Sequence, residues 1–229
     1  MTERALIKKK VLAENDRLAA EIRQLLCHNG VLALNLVSSP GSGKTSLLEK
    51  TLLALKDRIS MALIAGDVQT ENDAVRLIRA GGEVVRPIVT GGACHLNAAM
   101  IKSVLAELNL DRTDVLFIEN VGNLVCPASY DLGEQMKIVV MSTTEGDDKP
   151  LKYPAMFRRS SLMIINKIDL LGLSDFDLDR ARQNARTVNS GIEIMEISCR
   201  TGEGLDRWFN WLQNRIDTQR LAKTDDNAG

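Results

Sequence analysis

The chain has 229 residues, of which 45% are hydrophobic and 26% are charged. This composition is typical of a globular protein and excludes disorder of the whole chain, and the length predicts one large domain. The formal net charge of -1 gives no broad basic face for nucleic acid. No apolar stretch approaches the ~18 residues of a membrane span, and the charged start has no signal-like apolar core. We therefore expect a cytoplasmic protein whose four cysteines stay reduced, with no nucleic-acid or membrane partner.

Helical and apolar runs alternate along the chain. A charged helical pattern over 4–28 ends at Asn29-Gly30, and we interpret residues 1–30 as an N-terminal helical arm. Short apolar runs predict buried parallel strands, and periodic charged runs predict helices. In chain order these are strand 31–37, helix 45–56, strand 59–65, helix 71–79, strand 83–89, helix 95–108, strands 114–120, 137–143 and 161–167, helix 175–189, strand 192–198 and helix 203–221.

This order predicts an α/β fold with a mostly parallel central sheet flanked by helices. The predicted domain covers residues 31–221, and we expect the polar end, residues 222–229, to be disordered. The stretch 143–154 is the longest irregular one, which is typical of a functional loop. On the last helix, we expect Trp208 and Trp211 to pack against the core.

Residues 38–45, SSPGSGKT, have the form and the flanking elements of a phosphate-binding loop, although a serine stands where the first glycine is usual. Gly41 and Gly43 allow backbone N–H groups to face phosphates, and the following helix N-terminus adds partial positive charge. Lys44 is expected to reach the β and γ phosphates, and Thr45 to place its hydroxyl on Mg²⁺. The predicted phosphate-binding set is completed by Ser42 and Ser46.

A second motif, Asn166-Lys167-Ile168-Asp169, follows a predicted buried strand. The carboxylate of Asp169 can accept hydrogen bonds from N1–H and the exocyclic amine of guanine, and adenine offers no such pair of donors. Lys167 is expected to lie along the purine face, and Asn166 to tie this loop to the phosphate loop. Residues 198–200 resemble the base-edge loop of GTPases. The sequence therefore predicts GTP and GDP as ligands, with the further contacts Ser198, Cys199 and Arg200.

Two acidic residues end predicted strands and are candidates for Mg²⁺ binding and catalysis together with Lys44. Glu119 begins ENVG, which resembles the DxxG motif of GTPases, and the N–H of Gly122 would sense the γ phosphate. Asp67 is expected to orient the attacking water or contact Mg²⁺, as phosphoryl transfer requires. Alternatively, Asp67 only caps the following turn, and Asp73 is a weaker candidate for the role. Since no catalytic arginine or glutamine stands out, we expect slow intrinsic turnover.

Cys94, His95 and Cys126 form a candidate metal site. Thiolates and imidazole suit nickel, zinc or copper(I) better than Mg²⁺. Three ligands rarely close a tetrahedron alone, so we expect a twofold dimer with an interfacial metal. We expect Cys94 to open a helix, whose N-terminus would lower the pKa of the thiol. Because Cys126 shares a loop with the predicted γ-phosphate sensor, nucleotide state could move it. The alternative is that these cysteines only pack in the interior.

The other two cysteines are not predicted to bind metal. Cys27 is expected to pack, and His28 to lie at the negative end of the first helix. Cys199 lies in the predicted base-edge loop, where a nucleotide role is expected instead.

The segments SSPGSGKT, GDVQTEND, GGACHL, FIENVGNLVCPASYDLGE, TEGDDKPLKYP and NKIDL, within residues 35–204, resemble the hydrogenase nickel-incorporation (maturation) GTPases, the HypB family. The resemblance implies a P-loop NTPase of the SIMIBI class and G3E family that dimerises with GTP and holds nickel or zinc at the interface. It implies help in inserting nickel into the large-subunit precursor of [NiFe]-hydrogenase, with the small zinc-containing nickel chaperone HypA as a partner. It also implies the metal, phosphate, Mg²⁺ and guanine roles given above to each residue.

The sequence departs from some relatives because it has no CxxCGC-type motif or histidine-rich segment, and only two histidines. We therefore expect only the weaker, switch-coupled nickel site. Two alternatives stay open. A urease-accessory nickel GTPase usually carries Cys-Pro-His in the switch loop, whereas Ala128 follows Cys126-Pro127 here. A metal-independent regulatory GTPase would bind its partner without these cysteines. A small-molecule kinase would have no need for the NKxD motif.

Overall fold

The structure of the protein is a computed structural model that describes residues 3–226. It contains the alternating helices and strands that the sequence predicts. The helices are α1 Glu3–Asn29, α2 Lys44–Leu55, α3 Asn72–Arg79, α4 Ala98–Leu105, α5 Lys149–Lys152, α6 Pro154–Arg159, α7 Leu178–Val188 and α8 Leu205–Asp226. The strands are β1 Leu32–Ser38, β2 Met61–Asp67, β3 Val84–Val89, β4 Val115–Glu119, β5 Met136–Ser142, β6 Leu162–Asn166 and β7 Glu193–Glu196. Short 3₁₀ helices lie at Leu110–Arg112, Cys126–Ser129 and Ile168–Leu173.

The seven strands form one sheet in the order β3-β2-β4-β1-β5-β6-β7, and every pairing is parallel. The central strands are buried along their whole length, because helices cover both faces. The register pairs Leu36 with Glu119 and Ser38 with Val140. The carboxyl ends of β1 and its two neighbours therefore meet at one edge of the sheet. The predicted α/β class with a parallel sheet is confirmed.

Alternate residues of β1 point to opposite faces and so enter different cores. Leu34 and Leu36 pack with α2 and α8 on one face, while Ala33 packs with α1 and α4 on the other. Trp208 is fully buried, and its indole N–H donates to Thr51 Oγ1 of α2 at 2.9 Å. The predicted packing role of this tryptophan is confirmed.

The strand β3 lies at one edge of the sheet and carries Pro87. Its neighbour Arg86 pairs with Glu107 at 3.0 Å. The opposite edge is β7, which has four residues and begins and ends with glutamate. Both edge strands are thus short or interrupted, as edge strands of natural sheets often are.

Several predicted boundaries differ from the structure by a few residues. The helix α4 begins at Ala98 rather than at residue 95, because Asn97 is its N-cap and accepts a hydrogen bond from the Met100 N–H at 3.0 Å. The stretch 143–154, predicted to be irregular, contains α5 and the start of α6, which are too short to show helical periodicity. The last helix continues to Asp226, past the predicted end at residue 221. Residues 227–229 lie outside the described residues, and the disorder of the end stays a prediction.

Within residues 3–226, no helix combines the length and the apolar character needed to cross a bilayer.

Candidate functional site

A cavity of about 690 Å³ opens at the carboxyl edge of the sheet, between the phosphate loop and the loop after β6. Its volume is in the range of sites for small ligands. Most of the predicted nucleotide residues line it: Gly41, Gly43, Lys44, Thr45, Ser46, Asp67, Glu119, Gly122, Asn166, Lys167, Asp169, Cys199 and Arg200. The other two, Ser42 and Ser198, contact residues of this wall through hydrogen bonds. The structure therefore brings together residues that lie far apart in the sequence.

The phosphate loop is fixed against the base motif at Gly43. Asn166 Nδ2 donates to the Ser42 carbonyl at 2.9 Å, which is the predicted tie between the two motifs. A Cβ on Gly43 would lie 2.2 Å from that nitrogen, and Gly43 has φ +100°. Only glycine fits this close approach without strain.

A residue of the phosphate loop itself orients the side chain of Lys44. Lys44 is buried, and its Nζ donates to Ser38 Oγ at 2.8 Å. Burial lowers the pKa of Lys44 from its usual value, although nearby carboxylates such as Glu119 oppose this shift. The serine at the position of the usual first glycine therefore supplies the hydrogen bond that holds the lysine.

Thr45 and Glu119 form a buried pair at the cavity. The Thr45 hydroxyl donates to Glu119 Oε1 at 2.6 Å, and the glutamate is 2% exposed. Burial raises the pKa of Glu119 to about 7. Its second oxygen, Oε2, is buried and has no hydrogen-bond partner among the described residues. A buried carboxylate oxygen without a partner, beside a threonine hydroxyl, fits a hard divalent cation.

Asp67 lies at the end of β2 and lines the same cavity. Its Oδ1 accepts backbone N–H hydrogen bonds from Gln69 at 2.9 Å and from Thr70 at 3.2 Å. These bonds hold the pKa of the carboxyl below its usual value. Asp67 therefore caps the turn, as the simpler interpretation expected, and it also faces the site.

The base motif is shaped by its backbone. Lys167 has φ 64°, the one positive φ outside glycine in the described chain, and its Nζ donates to the Gly41 carbonyl at 2.8 Å. Asn166 Oδ1 accepts from the N–H groups of Lys167 at 2.8 Å and Cys199 at 3.1 Å. Ser198 Oγ donates to Asp169 Oδ1 at 2.5 Å. The carboxylate that would read the base is thus held in one orientation.

The thiol of Cys199 is buried in this wall. Burial raises its pKa to about 11, so the thiol stays protonated at neutral pH. A protonated, buried thiol is a poor metal ligand, and the nucleotide role of Cys199 stays a prediction.

Sequence reasoning missed Arg76 of α3, which also lines the cavity. Its guanidinium pairs with Glu49 at 2.7 Å and donates to Ser46 Oγ at 3.2 Å. No motif surrounds it, and in sequence it looks like one more charge on a solvated helix face.

The loop around α5 also contacts the phosphate loop. Glu145 accepts a hydrogen bond from Ser42 Oγ and pairs with Lys149, whose Nζ donates to Ser39 Oγ. Lys152 pairs with Asp148 at the surface. These contacts explain why a stretch that looked irregular is held in place.

The three predicted metal ligands come together on two loops. One ligand atom each of Cys94, His95 and Cys126 lies within 4.8 Å of the others, and all three residues are half-buried. The two sulfur atoms are 2.7 Å apart, and Cys94 Sγ is 3.6 Å from His95 Nδ1. Among the described residues, this is the single group of three or more His, Cys, Asp or Glu side chains close enough to share a metal ion. Their chemistry fits a soft or borderline divalent ion.

The protonation of this cluster differs from the prediction. The hydrogen bond with Cys126 and then burial raise the pKa of Cys94, so the expected lowering by a helix N-terminus is wrong. The physical reason is that α4 starts only at Ala98, so Cys94 lies outside the helix. Burial lowers the pKa of His95, which keeps the imidazole neutral and able to bind metal.

Contacts around the cluster join its two loops. The rings of His95 and Tyr130 have centroids 3.9 Å apart. Asn123 Nδ2 donates to the Cys94 carbonyl at 3.2 Å. Cys27 lies outside the cluster and is exposed, so its predicted packing is wrong. His28 occupies the last turn of α1, as predicted.

Comparison with known proteins gives the family. The model of the CobW/HypB/UreG nucleotide-binding domain matches residues 32–196. The chain belongs to the CobW/HypB/UreG family, as a HypB-type GTPase. It is 53% identical over 224 residues to the hydrogenase maturation factor HypB of Escherichia coli K12, and the matched region covers 97% of this chain and 76% of that protein. It is 44% identical over 210 residues to the probable HypB of Methanocaldococcus jannaschii, covering 92% and 95%.

Solved structures agree with this assignment. The crystal structure of HypB from Helicobacter pylori in complex with nickel matches with a TM-score of 0.84 and 39% identity, over 90% of this chain and 97% of that one. HypB from Archaeoglobus fulgidus matches with a TM-score of 0.83 and 38% identity, over 89% and 99%. The predicted family, P-loop NTPase fold and GTP-hydrolysing activity are confirmed.

Proposed function

We propose that this chain delivers nickel during hydrogenase maturation, using GTP to control a metal site. The observation that carries the proposal is continuity along one loop. Glu119 and Gly122 line the nucleotide cavity, and Cys126 of the metal cluster lies four residues after Gly122. The Helicobacter pylori relative was solved in complex with nickel, and the curated relatives are named as hydrogenase maturation factors. Both findings support nickel as the cargo.

In this proposal Lys44 binds the β and γ phosphates, and Gly122 senses the γ phosphate through its N–H. Thr45, Asp67 and Glu119 would hold Mg²⁺, which the partnerless Glu119 Oε2 favours. Bound Mg²⁺ supplies positive charge to the phosphates. Asp67, oriented by backbone hydrogen bonds, would position the attacking water.

Guanine recognition is assigned to the loop after β6. Asp169, oriented by Ser198, would accept both hydrogen bonds from the base, and Lys167 would lie along the purine face. Cys199 and Arg200 border the same part of the cavity.

We expect slow intrinsic hydrolysis. Arg76, the cationic side chain on the α3 wall, is already paired with Glu49. A catalytic arginine must be available to the transition-state charge, and this ion pair opposes such a role.

The cargo site would take Ni²⁺, with Zn²⁺ as its competitor, through two thiolates and one imidazole. Because the pKa of Cys94 is raised, binding must release protons and weaken as pH falls. Three ligands leave a position that a second copy could complete, so we propose a GTP-promoted homodimer with the metal at its interface. HypA as nickel donor and the hydrogenase large-subunit precursor as acceptor are the proposed partners. The proposed location is cytoplasmic, where the ligand thiols would stay reduced.

The coupling would act by population shift. GTP ordering the loop from Glu119 to Cys126 favours the dimer that presents paired ligands, and hydrolysis releases them. By linkage, nickel must then tighten GTP binding or dimerisation by the same factor.

The test measures nickel affinity and stoichiometry together with oligomeric mass, in GDP and in a non-hydrolysable GTP analogue. Wild type should bind nickel more tightly as a dimer with the GTP analogue, and Cys126→Ser should lose this difference. Cys27→Ser, which removes an exposed thiol outside the cluster, is the matched control and should behave as wild type. Nickel affinity that ignores both nucleotide and Cys126→Ser would instead favour a metal-independent GTPase.

A further inference from the structure

A line of buried polar side chains crosses the sheet beneath the loop that joins the two sites. Asn120 follows Glu119 at the end of β4, and its Nδ2 donates to Asn35 Oδ1 of β1 at 3.3 Å. Asn35 Nδ2 donates to Glu134 Oε1 at 3.0 Å, and Glu134 pairs with Lys137 at 3.2 Å. The exposed fractions are 2% for Asn120, 0% for Asn35, 8% for Glu134 and 6% for Lys137. We call these four residues the polar relay.

One end of the polar relay holds the segment that carries Cys126. Lys137 Nζ donates to the Pro127 carbonyl at 3.0 Å and to the Tyr130 carbonyl at 3.2 Å. Pro127 directly follows Cys126, and the Tyr130 ring packs on His95. The ammonium group of Lys137 therefore fixes the backbone that follows Cys126.

The other end holds the segment that carries His95. Asn120 Oδ1 accepts from the Leu96 N–H at 3.2 Å, directly after the histidine. The same oxygen accepts from the Val121 N–H at 3.0 Å. Asn120 thus lies between Glu119, which faces the nucleotide cavity, and the second ligand segment.

Physical chemistry makes a purely structural role a poor explanation for these groups. Burying Lys137 and Glu134 costs desolvation free energy, and well-packed apolar residues often stabilise such a position as well or better. What hydrogen bonds add over apolar contacts is direction, because each carbonyl and N–H must meet its partner at one place. The ligand segments have no strand or long helix to supply that direction.

We propose that the polar relay is the positioning device of the metal cluster, fixing both ligand segments to the end of β4 so that nucleotide at Glu119 changes ligand geometry. The nucleotide part of this inference rests on the proposed function. The relay residues act through the backbone of the ligand segments, and Asn120 also borders the nucleotide cavity.

The test compares Lys137→Met and the double variant Glu134→Gln/Lys137→Met with Thr51→Val. The double variant leaves no unpaired buried charge, so we expect it to be less destabilised than the single variant. Thr51→Val is the matched control, because it removes a buried hydrogen bond with Trp208 away from both ligand segments. Each protein is titrated with nickel in GDP and in the GTP analogue, with the thiolate-to-nickel absorption band recorded. The alkylation rate of Cys126 is measured without metal by mass spectrometry.

We expect the relay variants to bind nickel about 10-fold more weakly, as outer residues of metal sites typically do when replaced. Their band should shift, their affinity ratio between the nucleotide states should approach one, and Cys126 should be alkylated faster. Values equal to those of Thr51→Val would overturn the inference. In another outcome, nucleotide leaves the nickel affinity of wild type unchanged while the variants still bind nickel more weakly. That result would support positioning by the polar relay and overturn its coupling to nucleotide. If wild type binds no nickel, an unchanged Cys126 alkylation rate overturns the relay and a faster one supports it.

Discussion

The nucleotide cavity and the metal cluster share one loop but are held in different ways. In the cavity, a single side chain such as Asn166 makes hydrogen bonds to three backbone groups, at Ser42, Lys167 and Cys199. In the cluster, all three ligands are half-buried and come from loops. The cavity is therefore ready for its ligand, while the cluster depends on contacts made elsewhere. A site that must release its cargo is better built on segments that can move than on strand ends.

The largest expected effect comes from breaking the nucleotide side alone with Lys44→Ala. Losing the buried lysine should lower kcat/KM for GTP by roughly 100- to 1000-fold, as for other single groups that stabilise transition-state charge. Nickel titration of the nucleotide-free protein should still detect the metal cluster. Lys50→Ala, on the exposed face of the same helix, should retain wild-type turnover. A variant at Lys44 that keeps full activity would remove the assignment of the phosphate site.

Glu119, which begins the loop shared by the two regions, should make the stability of the protein depend on pH. The pKa of Glu119 is about 7 in the folded protein against 4.5 as its ordinary value, so the folded state binds more protons between these pH values. The metal- and nucleotide-free protein should therefore lose stability as pH rises from 4.5 to 7, by on the order of 2–3 kcal/mol, and then level off. Urea unfolding across this range measures the slope. Glu119→Gln should flatten it, and an equal slope in both proteins would assign the loss to other groups.

Base recognition gives the next smaller effect. Asp169→Asn replaces one acceptor oxygen by a donor and should weaken GTP binding by about 1.5–3 kcal/mol, the range for hydrogen bonds to charged groups. Binding of xanthosine triphosphate, which presents an acceptor where guanine has its amine, should improve relative to GTP. Isothermal titration with both nucleotides measures the change, with Asp175→Asn outside the cavity as control. If the preference for GTP over xanthosine triphosphate does not change, the base does not bind at Asp169.

The smallest effect tests the cross-link between the metal loops. Asn123→Ala removes a local hydrogen bond from the Val125 N–H and the hydrogen bond to the Cys94 carbonyl. The second bond joins the two loops and is worth roughly 0.5–1.5 kcal/mol. Nickel affinity should fall by less than about 10-fold, which is below the effect expected of Cys126→Ser. The exposed Asn214→Ala on α8 serves as the reference. If nickel affinity falls as far as it does for Cys126→Ser, the role of Asn123 is larger than one hydrogen bond between the loops.

Local motifs explain why the nucleotide residues could be predicted. The phosphate loop and the Asn166 motif each lie within a few residues, and the parallel sheet places both at one edge. The three metal ligands were predicted from residue type, but the state of Cys94 was not, because the start of α4 depends on the Asn97 cap.

Residues that act across strands could not be predicted. Asn35 lies 99 residues before Glu134, and in sequence Lys137 looks like the polar end of an apolar run. Their contacts depend on which strands are neighbours, here β1 and β5. The same holds for Ser38, whose hydrogen bond to Lys44 becomes visible only once the loop is folded.

The proline of the edge strand has a consequence for how copies of this chain can assemble. Pro87 has no amide hydrogen, so β3 offers fewer donors to an incoming strand than an ordinary edge. At the other edge, β7 has only four residues and so offers a short row of backbone partners to an incoming strand. Joining two sheets into one continuous sheet is therefore disfavoured at either edge. The proposed dimer would therefore form through helix or loop surfaces, whose contacts are easier to reverse than a continuous sheet.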